Sequence, residues 1–319
     1  MWKQKDTFSS YMQEFPVRDT ELVQLGTGAL GLKANQVWGT DLLVSKVECL
    51  PLTVWRMFAH PEWVGLLLPL RWRGEYKLNG WKAEPGDVFF LDGKSEFTTI
   101  SAQRSAMLIS MRRNRLEKAC ADLLGKNEYT LGDGHALLNT NSVAVNELNQ
   151  TVEELYSASA EVGTTNGKLY LLKAFEVDAF DKIASWLLFT VSENFEAKLS
   201  NPKAYEISTR ALEFARQLPA EQVSLSELCK GAGVGKSTLH NAFLETHGMS
   251  PMQLVLKQRL TAVRELLAAP LTPTATVKDA ALRSGFSSFG RFSKQYFYQF
   301  GELPSQTLER SKSQILLGG

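Results

Sequence analysis

A pattern that occurs twice near the C-terminal end constrains this chain more than any other feature. The first copy reads Leu225, Leu228, Cys229, Gly233, Val234, Leu239, Phe243 and Gly248. The second reads Val277, Ala280, Ala281, Gly285, Phe286, Phe292, Tyr296 and Gly301. Gly233 and Gly285 are 52 positions apart, whereas Gly248 and Gly301 are 53 apart, so the second copy carries one extra residue after its turn. Each copy has the layout of a helix-turn-helix. A first helix carries a small residue where a second must cross it, a glycine can supply positive φ at the turn, and the second helix keeps one apolar face. Two such units predict a protein that inserts two helices into successive major grooves of duplex DNA, about one helical turn (roughly 34 Å) apart.

Capping signals set the boundaries. Ser224 with Glu227 three residues on forms a capping box that opens the first unit. Its recognition-type helix is expected from about Lys236 to His247, ending at Gly248. Ser250-Pro251 opens a long helix to Ala269, stopped by Pro270 and Pro273, that holds the two units at a fixed separation. Thr276, with Asp279 at the third helical position, opens the second unit, whose second helix is expected from Ser288 to Phe300 before Gly301. An amphipathic helix over 205–218, closed by Pro219, precedes all of this, behind a linker at 196–203.

Length and composition agree with such a protein. The 319 residues suffice for two domains with cores of their own, and 44% hydrophobic with 22% charged residues is a soluble globular composition. Cys49, Cys120 and Cys229 are far apart and odd in number, with no CxxC or Cys/His cluster, so neither a disulfide framework nor a zinc site is indicated. His60 and His135 do not form a metal-binding pair either, so no metal and no cofactor are expected. The N-terminus lacks the features of a signal peptide, and the apolar stretches 63–70 and 183–191 are too short to span a bilayer. A cytoplasmic protein without a membrane partner is expected. The net charge of +1 hides an asymmetry: residues 203–319 hold 14 Lys/Arg against 9 Asp/Glu, and residues 1–202 hold 21 against 25. A basic end on a mildly acidic body fits nucleic-acid binding by that end.

Residues 10–112 read as β-rich. Short apolar runs at 42–47, 88–91 and 107–111 alternate with turn signals such as Asn79-Gly80 and Asp92-Gly93, in the manner of a barrel or sandwich. Helical periodicity begins near Arg115. Residues 126–141 read as a loop, and two helices follow at about 143–159 and 168–195. The run Arg112-Arg113-Asn114-Arg115 reads as a solvated charge cluster at the strand-to-helix junction. The expected fold is therefore α+β in two domains. Residues 1–200 form a β-rich, barrel- or cupin-like domain for effector sensing and dimerisation, with a helical part at 142–198. Residues 203–319 form an all-α domain with two helix-turn-helix units joined by a long helix.

Over about 205–310 the chain resembles the AraC family of transcription regulators. The paired units carry the resemblance, together with Gly285-Phe286, Phe292-Ser293-Lys294, Gly301 and Pro304. Lys294 stands where the family more often has arginine, and Asn241 holds the equivalent place in the first copy. Segments around 238–243, 259–267 and 276–281 also resemble the ethanolamine-operon regulators of that family. The resemblance implies a regulator of bacterial transcription and no enzyme. It implies a β-rich effector-binding or dimerising domain ahead of the DNA-binding one, a homodimer, and contact with RNA polymerase if the protein activates.

On the first recognition helix Leu239, Ala242 and Phe243 should face inward, leaving Lys236, Ser237, Thr238, His240 and Asn241 for DNA. Asparagine pairs bidentately with adenine, and serine or histidine reaches base edges or phosphate. On the second, Phe292 and Tyr296 face inward, leaving Ser288, Phe289, Arg291, Ser293 and Lys294. Arg291 is the leading base-reading residue, since arginine to guanine is the commonest specific contact. Trp55, Trp63, Trp72 and Trp81 with Arg71 and Arg73 are candidates for an effector pocket, against the alternative that the aromatics are core. Residues 231–238 (GAGVGKST) offer a competing reading as the phosphate loop of a nucleotide hydrolase, but Lys230 stands where that loop needs glycine. A third reading is a small-molecule binding module whose basic domain contacts protein.

Overall fold

Alternating apolar side chains build the N-terminal part into one sheet. The structure, a computed structural model, describes residues 3–5, 15–138, 142–162, 164–165, 168–170, 173–194, 202–268 and 276–317. Most of the expected linker at 196–203, and Pro270 and Pro273, lie outside these residues. The strands are β1 (Lys3–Lys5), β2 (Val17–Gln24), β3 (Leu32–Trp38), β4 (Leu42–Cys49), β5 (Thr53–Ala59), β6 (Trp63–Leu78), β7 (Trp81–Lys82), β8 (Val88–Leu91), β9 (Glu96–Arg112), β10 (Ala136–Leu138), β11 (Thr164–Thr165) and β12 (Lys168–Tyr170). Their order is β10-β8-β6-β9-β4-β3-β12-β11, with β5 joining β2 to β9.

Strand β9 organises the sheet. Its first half pairs with β5 and its second with β4, while β6 runs along the other edge. Between the halves Gln103 takes φ +44° and donates its N–H to the Leu50 carbonyl at 2.9 Å. The inserted residue reverses the alternation, so that Phe97 and Thr99 before it and Arg104, Ala106 and Leu108 after it face the same interior. Strand β4 shows the usual period of two: Leu42 and Val44 point one way, Leu43 and Val47 the other. Helices α1 (Arg113–Leu123), α2 (Ser142–Val162) and α3 (Lys173–Asn194) cover the first face, with Leu116, Leu148, Val152, Phe180 and Ile183 against Val64, Leu66 and Ile109. The second face encloses Trp55, Tyr76, Phe89 and Phe97.

Three local expectations need correction. The loop at 126–141 contains β10, whose three buried apolar residues pair with β8. The second of the expected helices starts at Lys173, because Leu169 and Tyr170 instead pair in parallel with Val37 and Trp38 of β3. A short apolar run has no period by which sequence could tell these apart. The arginine run is not simply solvated. Arg113 donates to the Asp92 and Leu131 carbonyls at 2.7 and 3.2 Å, and Arg112 and Arg115 pair with Asp41 at 3.7 and 3.6 Å.

The C-terminal part is all α: α4 (Lys203–Arg216), α5 (Leu225–Ala232), α6 (Lys236–His247), α7 (Pro251–Ala268), α8 (Val277–Arg283), α9 (Phe289–Phe300) and α10 (Pro304–Leu317). The expected caps form: Ser224 Oγ accepts the Glu227 N–H at 3.3 Å and Thr276 Oγ1 that of Asp279 at 3.1 Å. Both turns need glycine, since Gly233 and Gly285 take φ +66° and +80°. The second unit packs around a ladder of rings, Phe286, Phe292, Tyr296 and Phe300, with successive centroids 4.8, 5.8 and 4.7 Å apart.

The first unit shares its core with the sheet. Alternation turns Leu22 and Trp55 inward and leaves Val23, Leu25, Val54 and Ile100 apolar on the outside, where Ile207, Leu212, Leu228, Phe243 and Leu254 cover them. Polar contacts span the same seam. Tyr205 donates to Asn79 Oδ1 at 2.9 Å and Lys77 to the Glu245 carbonyl at 2.7 Å. The end of β2 reaches further. The Gln24 N–H meets Thr261 Oγ1 at 3.3 Å, Arg264 donates to its Oε1 at 3.2 Å, and Gln299 of α9 donates to its carbonyl at 2.8 Å.

Candidate nucleic-acid interface

Helices α6 and α9 occupy equivalent places in the two units. Leu239, Ala242 and Phe243 of α6 are buried, and Lys236, Ser237, Thr238, His240 and Asn241 are exposed. On α9 Phe292 and Tyr296 are buried, Ser288, Phe289, Arg291 and Lys294 are exposed, and Ser293 is half-buried. The supporting helices α5 and α8 are capped by side chains, but α6 and α9 start at Gly235 and Ser288 without one. Their first N–H groups are left for an outside acceptor, and a helix N-terminus favours phosphate. Basic residues divide in the same way. Arg264 and Arg310 pair with Glu302, and Lys230 with Glu227. Among the described residues, Lys236, Lys278, Arg283, Arg291 and Lys294 form no ion pair, and all five are exposed.

Sequence reasoning missed three apolar residues on these helices. Leu244, Phe297 and Tyr298 are exposed, Tyr298 by 75%. Phase is the signal that finds Tyr298: two residues beyond buried Tyr296, it cannot share that face. Along α9, Arg291, Lys294 and Tyr298 follow one another at helical spacing, as do Phe289, Ser293 and Phe297.

The last residue of α6, His247, faces the sheet. It is buried against the Phe243 ring (5.3 Å between centroids), and among the described residues neither ring nitrogen has a hydrogen-bond partner. Burial first, and the nearby Lys77 charge second, hold its pKa down to about 4. The unfolded chain therefore takes up a proton near pH 6.5 that the folded chain refuses until about pH 4, so stability falls as pH falls through that window. Between pH 7 and pH 5 the loss from this group should be about 2 kcal/mol. Urea midpoints of wild type and His247→Leu at both pH values check this. Equal losses in the two proteins would show that His247 is not the group responsible.

The phosphate-loop reading of 231–238 loses its context. Residues Leu225–Ala232 are a helix and not a buried strand, and Gly231 lies within it, so close to Phe214 that a β-carbon would overlap that ring. Among the described residues, no helix is long and apolar enough to cross a membrane. His135 is buried, accepts the Asp92 N–H on Nδ1 at 3.3 Å and donates from Nε2 to the Glu96 carbonyl at 3.1 Å. Burial lowers its pKa, against the pull of the Asp92 carboxylate, whose Oδ1 lies 3.4 Å from Nδ1.

A cavity lies inside the β-domain. Trp55 is the only one of the six effector-pocket candidates among its lining residues. Trp81 is buried elsewhere in the interior, Trp72 packs edge-on to Tyr76, and Trp63 lies under Arg112 at 5.0 Å. Arg71 and Arg73 are exposed, Arg71 beside Glu48 at 3.6 Å. The lining instead includes Tyr76, Phe97, Thr99 and Arg104. The sequence hides Arg104 because the reversal of alternation at Gln103 leaves no compositional mark.

Residues 228–310 match a family model described as a helix-turn-helix domain. A XylDLEGF operon transcriptional activator 2 of Pseudomonas putida is 32% identical over 136 residues, 42% of this chain and 85% of that protein. Another XylDLEGF operon transcriptional activator of the same organism is 29% identical over 133 residues, 42% of this chain but 41% of that protein. The crystal structure of a probable AraC family transcriptional regulator from Rhodopseudomonas palustris is 32% identical, covering 33% of this chain and 97% of that one, with a TM-score of 0.31. With two helix-turn-helix units joined by one long helix behind a β-rich domain, and with these relatives, the chain belongs to the AraC family of transcription regulators.

Proposed function

We propose that the protein regulates bacterial transcription in the cytoplasm by binding a specific site on double-stranded DNA, with α6 and α9 in successive major grooves. The observation that carries this reading is the pairing of two outward polar faces with two uncapped helix starts and unpaired basic residues. Lys236, Ser237 and Thr238 at the start of α6 are assigned to phosphate and the first bases, and His240 and Asn241 to base edges. On α9, Ser288, Phe289 and Ser293 approach the groove, Arg291 reads guanine and Lys294 meets a base or phosphate. A small-molecule effector in the β-domain shifts it between states that orient the DNA-binding domain differently. Homodimerisation is assigned to the helical part at 142–198, where Phe175 and Val177 of α3 are exposed. A dimer that activates would also meet RNA polymerase.

Selection of randomised duplexes by the full chain tests this. The full chain is used because sheet residues complete the core of the first unit. The expected result is a site with two conserved blocks about one helical turn apart. Arg291→Ala should relax one block and weaken binding by about 1–3 kcal/mol, roughly 5- to 150-fold. No enrichment at low salt would sink the reading.

A further inference from the structure

Leu244 of α6 and Phe297 of α9 are 53 positions apart, as are Gly248 and Gly301, so they hold the same place in the two units. Leu244 is 45% exposed and Phe297 53%. A single apolar side chain at a surface is common and means little. Here the same exposed place is apolar in both copies, and each time it stands among polar neighbours. Buried Leu239, Ala242 and Phe243 fix the inner side of α6. Ser237, His240, Asn241 and Leu244 then share the outer side, spaced i, i+3, i+4 and i+7. On α9 the equivalent four are Gly290, Ser293, Lys294 and Phe297. Residues at this spacing are the set through which a single helix lying in a major groove reads bases.

Gly290 is a second, independent observation. It lies in the first turn of α9, and its φ is not positive. Among the described residues, a β-carbon there would meet no atom within 4 Å. Neither turn geometry nor internal packing requires glycine, and glycine weakens a helix relative to alanine. What it supplies is bare backbone on the outer side, which a surface outside the protein can approach closely.

We propose that Leu244 and Phe297 each read a thymine, by packing on the C5-methyl group of one base in their own half-site, and that Gly290 lets the first turn of α9 lie directly against the DNA. The proposal rests on the reading of α6 and α9 as DNA-binding helices and adds a base identity to it. Thymine is the base that presents an apolar group in the major groove, and an apolar side chain meets it without leaving a polar group unpaired. Leu244 and Phe297 belong to units with separate cores, which suits two base contacts better than one contiguous apolar patch. Because their places are equivalent, the two thymines occupy equivalent places in their half-sites, about one helical turn apart.

The test is fluorescence anisotropy of the full chain on the selected duplex, and on duplexes with one thymine at a time replaced by deoxyuridine. That replacement removes the C5-methyl group and leaves the base pair intact. At one thymine in each block it should weaken wild-type binding by about three- to fivefold, what one methyl group removed from water is worth. Leu244→Ala should abolish the response in one block and Phe297→Ala in the other. Gly290→Ala should melt no lower than wild type yet bind the unaltered duplex at least about threefold more weakly. No responsive thymine would overturn the proposal, as would responsive thymines at unequal places in the two blocks. Alanine variants that keep the wild-type response at every thymine would also overturn it, and would mark Leu244 and Phe297 as a protein-docking feature. A Gly290→Ala protein that binds as tightly as wild type, or melts lower, removes the close approach. The wild-type response to deoxyuridine does not depend on how any variant folds. A selected site without a methyl-sensitive thymine removes this proposal alone, whereas no selected site removes the DNA-binding reading and the proposal with it.

Discussion

Phe243→Ala should destabilise the protein by about 3–5 kcal/mol, the cost of emptying a fully buried aromatic site. The side chain is 0% exposed and belongs to the one cluster that contains both the first helix-turn-helix and the outer residues of β2, β5 and β9. Collapse around the cavity is restricted, because the sheet on one side is held by its ladders and α4 and α7 on the other are tied to it by Tyr205, Thr261 and Arg264. The loss should fall on the docked first unit before the second, whose aromatic ladder is separate. Urea unfolding followed by far-UV circular dichroism measures the total. Amide exchange resolves the order, with α6 opening before α9. Phe297→Ala, at a 53% exposed position on α9, serves as the control and should change stability by less than about 1 kcal/mol. A Phe243→Ala loss as small as that of the control would contradict the shared core.

Arg56→Met should cost about 2–3 kcal/mol. Arg56 holds three carboxylates at once, Asp19 at 2.7 Å, Glu96 at 2.8 Å and Glu21 at 3.2 Å, and Arg216 of α4 reaches the last two at 3.6 and 3.4 Å. Burial alone would lower the arginine's pKa, but Asp19, Glu96 and Glu21 more than offset it and raise it above the ordinary value. Burial likewise works to raise the Asp19 carboxyl, and Arg56 outweighs it, leaving that group below its ordinary range. Without the arginine, three acids face one remaining cation. Breaking a fully buried pair costs about 3–5 kcal/mol. The figure here is lower because Asp19 is 60% exposed and screened by solvent. The pH dependence carries the signature. In wild type the Asp19 contribution is complete above its unfolded pKa and is lost as pH falls through the lowered folded value. In the variant the carboxylates repel, so protonation relieves them. The stability gap between the two proteins should therefore narrow from pH 7 to pH 4.5. A gap under 1 kcal/mol at pH 7, or one that stays constant with pH, would count against the network.

Much of the C-terminal domain was legible because its signals are local. A cap, a glycine and an apolar period act within a few residues, and α6 begins and ends at Lys236 and His247 as those signals require. The exposed set on α6 follows from the same period. The β-domain was legible only as a class. Its strands have short-range alternation, but their partners lie tens of residues away, and nothing local says that β9 changes partner at Gln103 or that β12 pairs with β3. Which residues line the interior was illegible for this reason. Tryptophan is conspicuous in composition, so Trp63, Trp72 and Trp81 drew attention, whereas Arg104 looks like any charged residue on a strand until the fold turns it inward. The seam between the domains was likewise hidden. Val23 and Val54 look like ordinary alternating strand residues, and only the assembled sheet shows that their side needs a cover.

The end of β2 gives this protein a property that neither half would have alone. Gln24 is held by the long connecting helix and by the far end of α9, while Glu21, on the same strand, meets Arg216 ahead of the first unit. One strand thus bears on both helix-turn-helix units. Adjacent base pairs are about 3.4 Å apart along the axis, so a displacement of that strand by a small fraction of its own length is enough to alter the phase between the two units. On the function proposed above, the chemistry of each contact would stay the same while the number of base pairs tolerated between the half-sites would change. On that reading, a sensor connected in this way would select among promoters by their spacing, and two promoters with identical half-sites would become distinguishable to it.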